Sequence, residues 1–239
     1  MLMRISTINR PTGKTNSMKV LQTISIALIT MVALVSAAAQ ESKPVPPSPP
    51  GLVEVIASEK LDGTTYTNGF LGLRLAIPEG WKVSEDSTKK KMMEAGKEYL
   101  KPTDAAQRAD MEKSMTNSAV LLTLLAPDPV GTHQSTLIVV IEKLPAPDIR
   151  ATPYVTHLKE MLLENSTLNY AVEKDVHDET LNGQPFAALD VFIAKPDSRV
   201  NQKYACQMRK GYALCLIETY HTEAQLAALT SVANGLALK

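Results

Sequence analysis

Short turn signals between apolar segments constrain the fold of this chain more than any other feature. Asn68-Gly69, Asn182-Gly183 and Lys210-Gly211 each stand between two segments rich in apolar and β-branched residues. Asn-Gly is a preferred pair for the tight turn of a β-hairpin, and glycine adopts the positive φ of such turns at low cost. We therefore expect three antiparallel hairpins. Their predicted strands are 64–67 with 70–77, 170–174 with 186–194, and 200–208 with 212–220.

Two further segments predict strands that are buried on both faces. Residues 119–125 and 136–144 are nearly continuous runs of apolar residues, rich in Val, Ile and Leu. Strands with one solvated face alternate instead, so unbroken runs indicate layers on both sides of a sheet. Residues 53–58 are a candidate for a first strand.

Three segments have the pattern of helices. Residues 87–117 form a polar, methionine-containing helical excursion that Pro102 interrupts. A second helix is predicted at 152–165 with Pro153 at its first position, which suits proline because that N–H has no partner inside the helix. A third is predicted at 222–238. Strands, helices, strands and a final helix together indicate the α+β class.

The two later helices each have an apolar side that we expect to face the sheet. Thr222 and Gln225 have the spacing of a capping box at the start of the third helix. The predicted buried side chains are Tyr154, Leu158, Met161 and Leu162 in one helix, and Leu226, Leu229, Ala233 and Leu236 in the other.

The first 39 residues have the pattern of a secretory signal peptide. Four basic residues precede an apolar run at 24–35, and Ala37 and Ala39 are the small residues that a signal peptidase accepts. A membrane-spanning helix needs about 20 apolar residues, more than this run provides. We expect cleavage after Ala39 and a periplasmic or secreted protein, whether translation starts at Met1 or Met18. The alternative is that residues 20–39 stay attached as an anchor.

The rest of the chain divides into a linker at 40–51 and one globular domain at 52–239. Five prolines between positions 44 and 50 favour an extended spacer; a ligand for a proline-reading module is the alternative. Without residues 1–39, 21 basic and 25 acidic residues remain, a net charge of −4. This balance argues against nucleic acid as a partner. No segment after residue 39 has the length of a transmembrane span.

Residues 66–81 resemble the opening hairpin of PsbP-like proteins, which include the photosystem II extrinsic PsbP proteins and small exported bacterial relatives. Phe70, Pro78, Gly80 and Trp81 stand at matching positions. The late strand pair and the closing helix also fit the order of that family. The resemblance implies an α/β/α sandwich about a central, mainly antiparallel sheet with helices packed on it. It implies a role in binding or assembly and no catalytic residues.

No catalytic, cofactor or metal-binding residues are predicted. His133, His157, His177 and His221 lack the paired spacing of zinc ligands. His177 lies in an acidic stretch, for which we considered a metal site and favoured a solvated turn. No nucleophile elbow and no phosphate-binding glycine loop occurs in the sequence. Catalytic groups that are distant in sequence can still meet in the fold, so an enzyme stays the alternative.

Four methionines of the helical excursion suggest a possible partner-binding surface. These residues are Met92, Met93, Met111 and Met115. Methionine adapts its shape to different partners, and it also fills irregular gaps in cores. Packing against the sheet is the interpretation we favour here. For Trp81, the only tryptophan, we likewise favour packing over a ligand groove.

Cys206 and Cys215 are the only cysteines, and export favours a disulfide between them. A two-residue turn at Lys210-Gly211 would place them opposite each other at a non-hydrogen-bonded pair, where Cα atoms are about 4.5 Å apart. A three-residue turn would place them on opposite faces. We expect the disulfide. The function predicted from all these observations is that of an exported non-catalytic domain without cofactor, which binds an unidentified envelope or secreted protein.

Overall fold

The protein is an α+β fold built on two antiparallel sheets, as predicted. The computed structural model describes residues 49–85, 87–89, 91, 94, 105–127, 134–165, 167–195 and 198–239. The strands are β1 (Glu59–Asp62), β2 (Thr65–Asn68), β3 (Leu73–Ala76), β4 (Lys82–Val83), β5 (Ser118–Leu125), β6 (Thr136–Lys143), β7 (Tyr170–Leu181), β8 (Gln184–Lys195), β9 (Ser198–Arg209), β10 (Tyr212–Tyr220) and β11 (Ala237–Leu238). The helices are α1 (Leu52–Ala57), α2 (Ala105–Thr116), α3 (Ala151–Asn165) and α4 (Glu223–Ala233).

A seven-stranded sheet forms the centre of the molecule. Its strand order is β4-β5-β6-β10-β9-β8-β7, and every pair of neighbours is antiparallel. The second sheet has the order β1-β2-β3-β11. Strands β7 to β10 each pair with the next strand along the chain, and β10 also pairs with β6. The turn residues Asn182, Gly183, Lys210 and Gly211 all have positive φ, as two-residue hairpin turns require.

Both faces of the large sheet are covered, which explains the continuous apolar strands. All nine residues of β10 are buried. Its odd-numbered residues from Ala213 to Ile217 face the core beneath α3, and its even-numbered residues from Tyr212 to Leu216 face the small sheet and α4. The prediction that β5 and β6 are buried on both sides is confirmed, because their residues divide between the same two cores.

Helices α3 and α4 pack on opposite faces of the large sheet. The four apolar residues predicted for α3 are buried, from Tyr154 to Leu162. The predicted capping box of α4 is present: the Thr222 side chain accepts a hydrogen bond from the Gln225 N–H, and the Gln225 side chain accepts one from the Thr222 N–H. Helix α3 begins at Ala151, so Pro153 is its third residue rather than its first.

Three secondary-structure predictions are wrong. The predicted strand at 70–77 begins only at Leu73, and residues 69–72 rather than a two-residue turn connect it to β2. Residues 52–57 form helix α1 rather than a strand, and the Gly51 N–H donates to Glu54 Oε2 at 2.9 Å across its first turn. The predicted helix at 222–238 ends at Ala233. Asn234 and Gly235 turn the chain, and Ala237–Leu238 then pairs with β3. The local pattern of apolar residues could not separate helix from strand at either place. Whether a segment becomes a strand depends on a partner strand that is distant in sequence: residues 237–238 have one in β3, and residues 52–57 have none.

The last residues of the proline-rich segment contact the domain. Lys143 Nζ donates to the Pro49 carbonyl oxygen at 2.9 Å, and the Tyr212 hydroxyl donates to the Pro50 carbonyl oxygen. A Cβ at Gly211 would lie 2.7 Å from the Pro49 ring, so glycine is needed there for this close approach. Contacts with the domain therefore begin before the predicted boundary at residue 52. Residues 1–48, with the predicted signal peptide and most of the linker, lie outside the described residues.

Candidate functional site

A row of charged side chains crosses four strands of the large sheet. Lys203 of β9 pairs directly with Glu218 of β10 on one side and with Asp190 of β8 on the other. Directly paired residues on neighbouring strands project from the same face. Glu218 follows Leu214 and Leu216 in alternation, so the row lies on the face that carries α4. We call Glu179, His177, Asp190, Lys203 and Glu218 the charged row.

The members of the charged row on β7 pair with those on β8 and β9. Lys203 Nζ donates to Glu179 Oε1, and these two side chains are 14% and 16% exposed. His177 Nε2 lies 3.7 Å from Asp190 Oδ2. Side chains buried to this degree interact through a lower dielectric than surface ion pairs do, so each charge strongly affects its neighbours.

Glu218 is the most deeply buried member. It is 4% exposed, and its Oε2 has no hydrogen-bond partner among the described residues. Burial raises the pKa of Glu218 to about 7, against an attraction to Lys203 that lowers it. That value also includes the effects of Glu179 and Asp190, whose charges raise the pKa, and of the Thr230 side chain, which lowers it. Glu218 therefore exchanges a proton near neutral pH.

The pKa of Asp190 is also raised above its ordinary value. Burial raises its pKa, while the positive charges of Lys203, His177 and Lys174 lower it and Glu179 raises it. The charged row contains three carboxyl groups against one lysine and one histidine. Two buried carboxylate oxygens, Glu179 Oε2 and Glu218 Oε2, have no hydrogen-bond partner among the described residues. Lys174 of β7 pairs directly with Asp190 and adds a second lysine, so what these two oxygens lack among the described residues is a hydrogen-bond donor.

Helix α4 forms a wall beside the charged row. A shallow, open depression of about 600 Å³ runs along its flank, and it is lined by Glu223, Leu226, Ala227, Thr230, Ser231 and Asn234. Thr230 lies close enough to Glu218 that its side chain lowers the pKa of that carboxyl group. Burial and the charges of Asp190, Glu223 and Glu218 raise the pKa of Tyr220 to about 12, so this tyrosine also lies near both. We call the charged row, Tyr220 and this flank of α4 the trough.

Arg199 lies near the start of strand β9, four residues before Lys203. Its guanidinium lies over the Phe192 ring, 4.0 Å from the ring centroid, and its Nη2 donates to Glu173 Oε2 at 2.7 Å. This arginine is thus engaged by an aromatic ring and a carboxylate of neighbouring strands, and it does not neutralise the buried carboxyl groups of the charged row.

Sequence reasoning singled out two members of the trough, His177 and Glu179, and misplaced both. His177 and its acidic neighbours belong to strand β7, not to a solvated turn. The register of β7 with β8 brings His177 toward Asp190. Asp175, on an exposed part of the strand, accepts from Lys159 Nζ at 2.9 Å. Within the described ranges, no three His, Cys, Asp or Glu side chains are grouped so that they could hold a metal ion.

Asp190, Lys203 and Glu218 were missed, although the sequence carries a signal for two of them. Asp190 and Glu218 each interrupt a run of apolar residues in a predicted strand. A carboxyl group at such a position is rarely buried without a partner or a function. The pairing with Lys203 could not be predicted, since it depends on the registers of two separate strand pairs.

The methionines of the predicted partner surface do not form a described surface. Met115 is partly buried and packs against the core beneath α3. Met92 and Met93 lie outside the described residues, and only the backbone of Met111 is described, within α2. Trp81 is partly buried and packs against the core on the opposite face of the large sheet, which agrees with a structural role.

Cys206 and Cys215 form a disulfide in the structure. They pair directly across β9 and β10, with Cα atoms 4.1 Å apart. The turn at Lys210-Gly211 has two residues, as the first of the two predicted registers requires. Both cysteines face the core beneath α3, so the bond lies on the side of the sheet opposite to the trough.

A second buried carboxyl group has a structural role. Glu142 of β6 is 3% exposed, and it accepts hydrogen bonds from Ser114 Oγ at 2.8 Å and from the Tyr154 hydroxyl at 2.7 Å. It thereby joins α2 and α3 to the sheet. The contrast with Glu218 is clear, because both oxygens of Glu142 are hydrogen-bonded within the protein.

No family model matches this chain, and no curated protein matches it. The solved structures that are similar to it in part include the following three. Cyanobacterial PsbP from Synechocystis is 11% identical with a TM-score of 0.47, over 75% of this chain and 98% of that protein. LpqN of Mycobacterium tuberculosis, involved in cell envelope biogenesis, is 15% identical with a TM-score of 0.41, over 81% of this chain and 99% of that protein.

The third similar structure is PA94 of Pseudomonas aeruginosa, a protein of unknown function. It is 16% identical with a TM-score of 0.36, over 44% of this chain and 71% of that protein. At such low identity these are similarities of fold alone, and the PsbP-like family stays a prediction. None of the helices in the described segments is long and apolar enough to cross a membrane.

Proposed function

We propose that this protein is an exported, non-catalytic domain that binds another protein of the cell envelope or the extracellular space through the trough. The observation that carries the proposal is the charged row, whose ionisable side chains are only partly exposed, on the face of the sheet that also carries helix α4 with its open depression. Ionisable groups whose pKa is shifted by burial and by charged neighbours, as those of Glu218 and Asp190 are, are concentrated at functional sites.

Two features support export. The basic, apolar and small-residue order of residues 1–39 is that of a signal peptide. The Cys206–Cys215 disulfide suits an oxidising compartment. In this proposal residues 40–48 form an extended spacer ahead of the domain, and Pro49 and Pro50 are its attachment to the β9–β10 turn.

An enzyme is the alternative, and one observation favours it. A buried carboxyl group with a pKa near 7 beside a lysine is the kind of group that serves as a general acid or base. The shape of the site favours binding instead. Catalytic sites enclose their substrates in deep clefts, whereas the depression along α4 is shallow and open.

The proposal is tested by blocking the trough and comparing what the protein captures. Ala227 lines the depression, whereas Ala228 is exposed on the same helix and does not line it. Exported wild-type protein, Ala227→Arg and Ala228→Arg are each immobilised and exposed to envelope and secreted proteins of the source cells. We expect a partner that the wild type and Ala228→Arg retain and that Ala227→Arg loses. Equal capture by all three proteins would contradict binding through the trough.

A further inference from the structure

We propose that one end of the molecule docks on a lipid bilayer that contains anionic phospholipid. This surface, which we call the hairpin end, comprises residues 49–58, 69–72, 143 and 209–212. It includes helix α1, the loop between β2 and β3, and the β9–β10 turn. Docking of the hairpin end is independent of the trough.

Hydrogen bonds bring the parts of the hairpin end together. Lys210 in the β9–β10 turn donates from Nζ to the Phe70 carbonyl oxygen at 2.6 Å. The Gly69 N–H donates to the carbonyl oxygen of Ser58, the residue that follows α1, at 3.0 Å. The Phe70 N–H also donates to Ser58 Oγ at 3.2 Å. The turn and the end of α1 therefore contact the same short loop and lie next to each other.

Three basic side chains give the hairpin end its charge. Lys210 is exposed, and Lys143 and Arg209 are partly exposed. All three donate hydrogen bonds to main-chain oxygens. Within the described part of the chain, none of them forms an ion pair with an acidic side chain. By contrast, the three basic side chains that contact strand β7 are each paired with a carboxylate. The charge of the hairpin end is thus open to an anionic surface.

The acidic residues that outnumber the basic ones lie mainly elsewhere. Strand β7 carries four of them and forms the far edge of the large sheet, three strands from β10. At the hairpin end, Glu54 is the acidic residue, and its Oε2 accepts a hydrogen bond from the Gly51 N–H at 2.9 Å. An anionic bilayer would therefore attract the hairpin end and repel the β7 edge.

Exposed apolar side chains lie beside these charges. Val53 and Ile56 are 80% and 42% exposed, and residues three positions apart share one side of a helix. They are two of the four exposed large apolar side chains in the described segments, and both lie on a helix of six residues. Val55 is fully buried, which fixes the outward direction of the other two. Apolar side chains next to basic ones suit the boundary between lipid headgroups and acyl chains better than a soluble anion.

The chain also enters the domain at this end. Lys143 Nζ donates to the Pro49 carbonyl oxygen at 2.9 Å, and the Tyr212 hydroxyl donates to the Pro50 carbonyl oxygen. The predicted signal peptide ends at Ala39, and the nine residues 40–48 follow it. Nine residues of polyproline II span about 28 Å, at about 3.1 Å per residue. Before cleavage, a signal peptide in the membrane would hold the hairpin end within that distance of the bilayer.

Vesicle binding tests the proposal with the exported protein. Vesicles of phosphatidylcholine alone, and vesicles with about one third phosphatidylglycerol, are mixed with the protein at low ionic strength and sedimented. We expect the protein to bind the anionic vesicles, to be released by added salt, and to stay in solution with the neutral vesicles. No binding to the anionic vesicles, or equal binding to both compositions, would overturn the proposal.

A pair of charge variants locates the contact. Lys210→Glu should weaken vesicle binding about 10-fold or more, because each basic residue near an anionic surface strengthens binding about fivefold. Lys82→Glu is the matched control at an exposed lysine of β4. Lys82 lies beside the Thr136 end of β6, whereas Lys143 is at the other end of that strand. We expect Lys82→Glu to weaken binding less than about twofold. Equal losses in both variants would show an effect of net charge alone and contradict docking by the hairpin end.

A pair of apolar variants tests contact with the lipid itself. Val53→Ser removes an exposed apolar side chain from α1 and should weaken binding about fivefold or more. Leu163→Ser is the control, because Leu163 is 43% exposed on α3, on the opposite face of the large sheet, and it should leave binding unchanged. Full binding by Val53→Ser together with a loss in Lys210→Glu would indicate a purely ionic partner, such as a soluble anionic polymer, and would overturn bilayer docking.

A further readout uses the wild-type protein alone. Spin-labelled lipid in small anionic bilayer discs broadens the amide signals of residues that lie close to the bilayer. We expect the strongest broadening at residues 52–57, 69–72 and 209–211, and little along α4 and β7. Broadening centred on α4 would place the bilayer at the trough and would reject docking by the hairpin end.

Discussion

At the scale of single residues, Glu218 is the buried ionisable group on which the proposed site depends most. Its carboxyl group is buried opposite Lys203, and Glu179, Asp190, Tyr220 and Thr230 surround it from the neighbouring strands and from α4. Lys203 does not fully neutralise the charge of Glu218, because its Nζ donates a hydrogen bond to Glu179. Glu142 shows that the same fold can bury a glutamate with both oxygens satisfied.

The raised pKa of Glu218 predicts a pH dependence of stability with a definite sign. In the fold its pKa is raised from 4.5 to about 7, so the folded protein binds more protons than the unfolded chain between these values. The contribution of Glu218 to stability is present below pH 4.5 and is lost as the pH rises through about 7. The loss is at most about 3.5 kcal/mol, at about 1.4 kcal/mol for each pKa unit.

Glu218→Gln should therefore be more stable than the wild type at alkaline pH and should lose that advantage toward pH 4.5. Urea unfolding across this range measures the difference, with Glu112→Gln as the matched control. A difference between Glu218→Gln and the wild type that does not change with pH would show that Glu218 titrates at its ordinary value.

At the scale of elements, helix α4 connects the core to the trough. Leu229 and Ala233 are fully buried, while Ala227 and Ala228 are exposed on its other side. Leu229→Ala should lower the free energy of unfolding by about 2–5 kcal/mol, because it leaves a cavity between the helix and the sheet. Ala228→Ser is the surface control and should change it by less than about 0.5 kcal/mol. Chemical denaturation gives both values, and a surface-sized effect for Leu229→Ala would contradict the packing of α4.

The β9–β10 hairpin connects the large sheet to the loop between β2 and β3. Its turn contacts segments distant in sequence: Arg209 Nε donates to the Leu71 carbonyl oxygen, and Lys210 Nζ donates to the Phe70 carbonyl oxygen at 2.6 Å. The disulfide holds the register that places this turn. Only with Cys206 opposite Cys215 do Lys210 and Gly211 form the two-residue turn.

We expect no free thiol in the native exported protein. Alkylation without reduction, followed by intact-mass measurement, should leave Cys206 and Cys215 unmodified, and reduction of the unfolded chain should make both reactive. Two alkylated thiols in native, non-reduced protein would show that the hairpin forms without its disulfide.

At the scale of the whole molecule, the order of elements was largely predictable and the site was not. The hairpins at Asn182-Gly183 and Lys210-Gly211 and the buried strands β5 and β6 follow from local turn chemistry and apolar runs. Helix α1 was mistaken for a strand because Val53 and Ile56 look like buried residues. In the structure the side chains of Val53 and Ile56 are 80% and 42% exposed, and this segment pairs with no strand among the described residues.

The trough shows why site prediction failed while strand prediction succeeded. Each strand reveals its own alternation, but the charged row exists only through the registers of β7, β8, β9 and β10 together. Asp190 is 13 positions before Lys203 in the chain, and Glu218 is 15 positions after it. A shift of one residue in any of these pairs would send one of the charges to the opposite face.

Export makes a separate prediction for the whole chain. N-terminal sequencing of the protein recovered from the periplasm or the medium should begin at Gln40, because Ala37 and Ala39 fit the signal peptidase. Replacing Ala39 with a bulky residue should leave a longer, membrane-associated precursor. A recovered protein that still carries residues 20–39 would contradict cleavage.

The most direct test of binding through the trough is amide chemical-shift mapping of the isotope-labelled protein with its captured partner. The account predicts that the largest shifts fall in β8, β9 and β10 around Asp190, Lys203 and Glu218, and along α4 near Ala227. Shifts confined to other surfaces, such as the exposed strand β1 or helix α2, would contradict it.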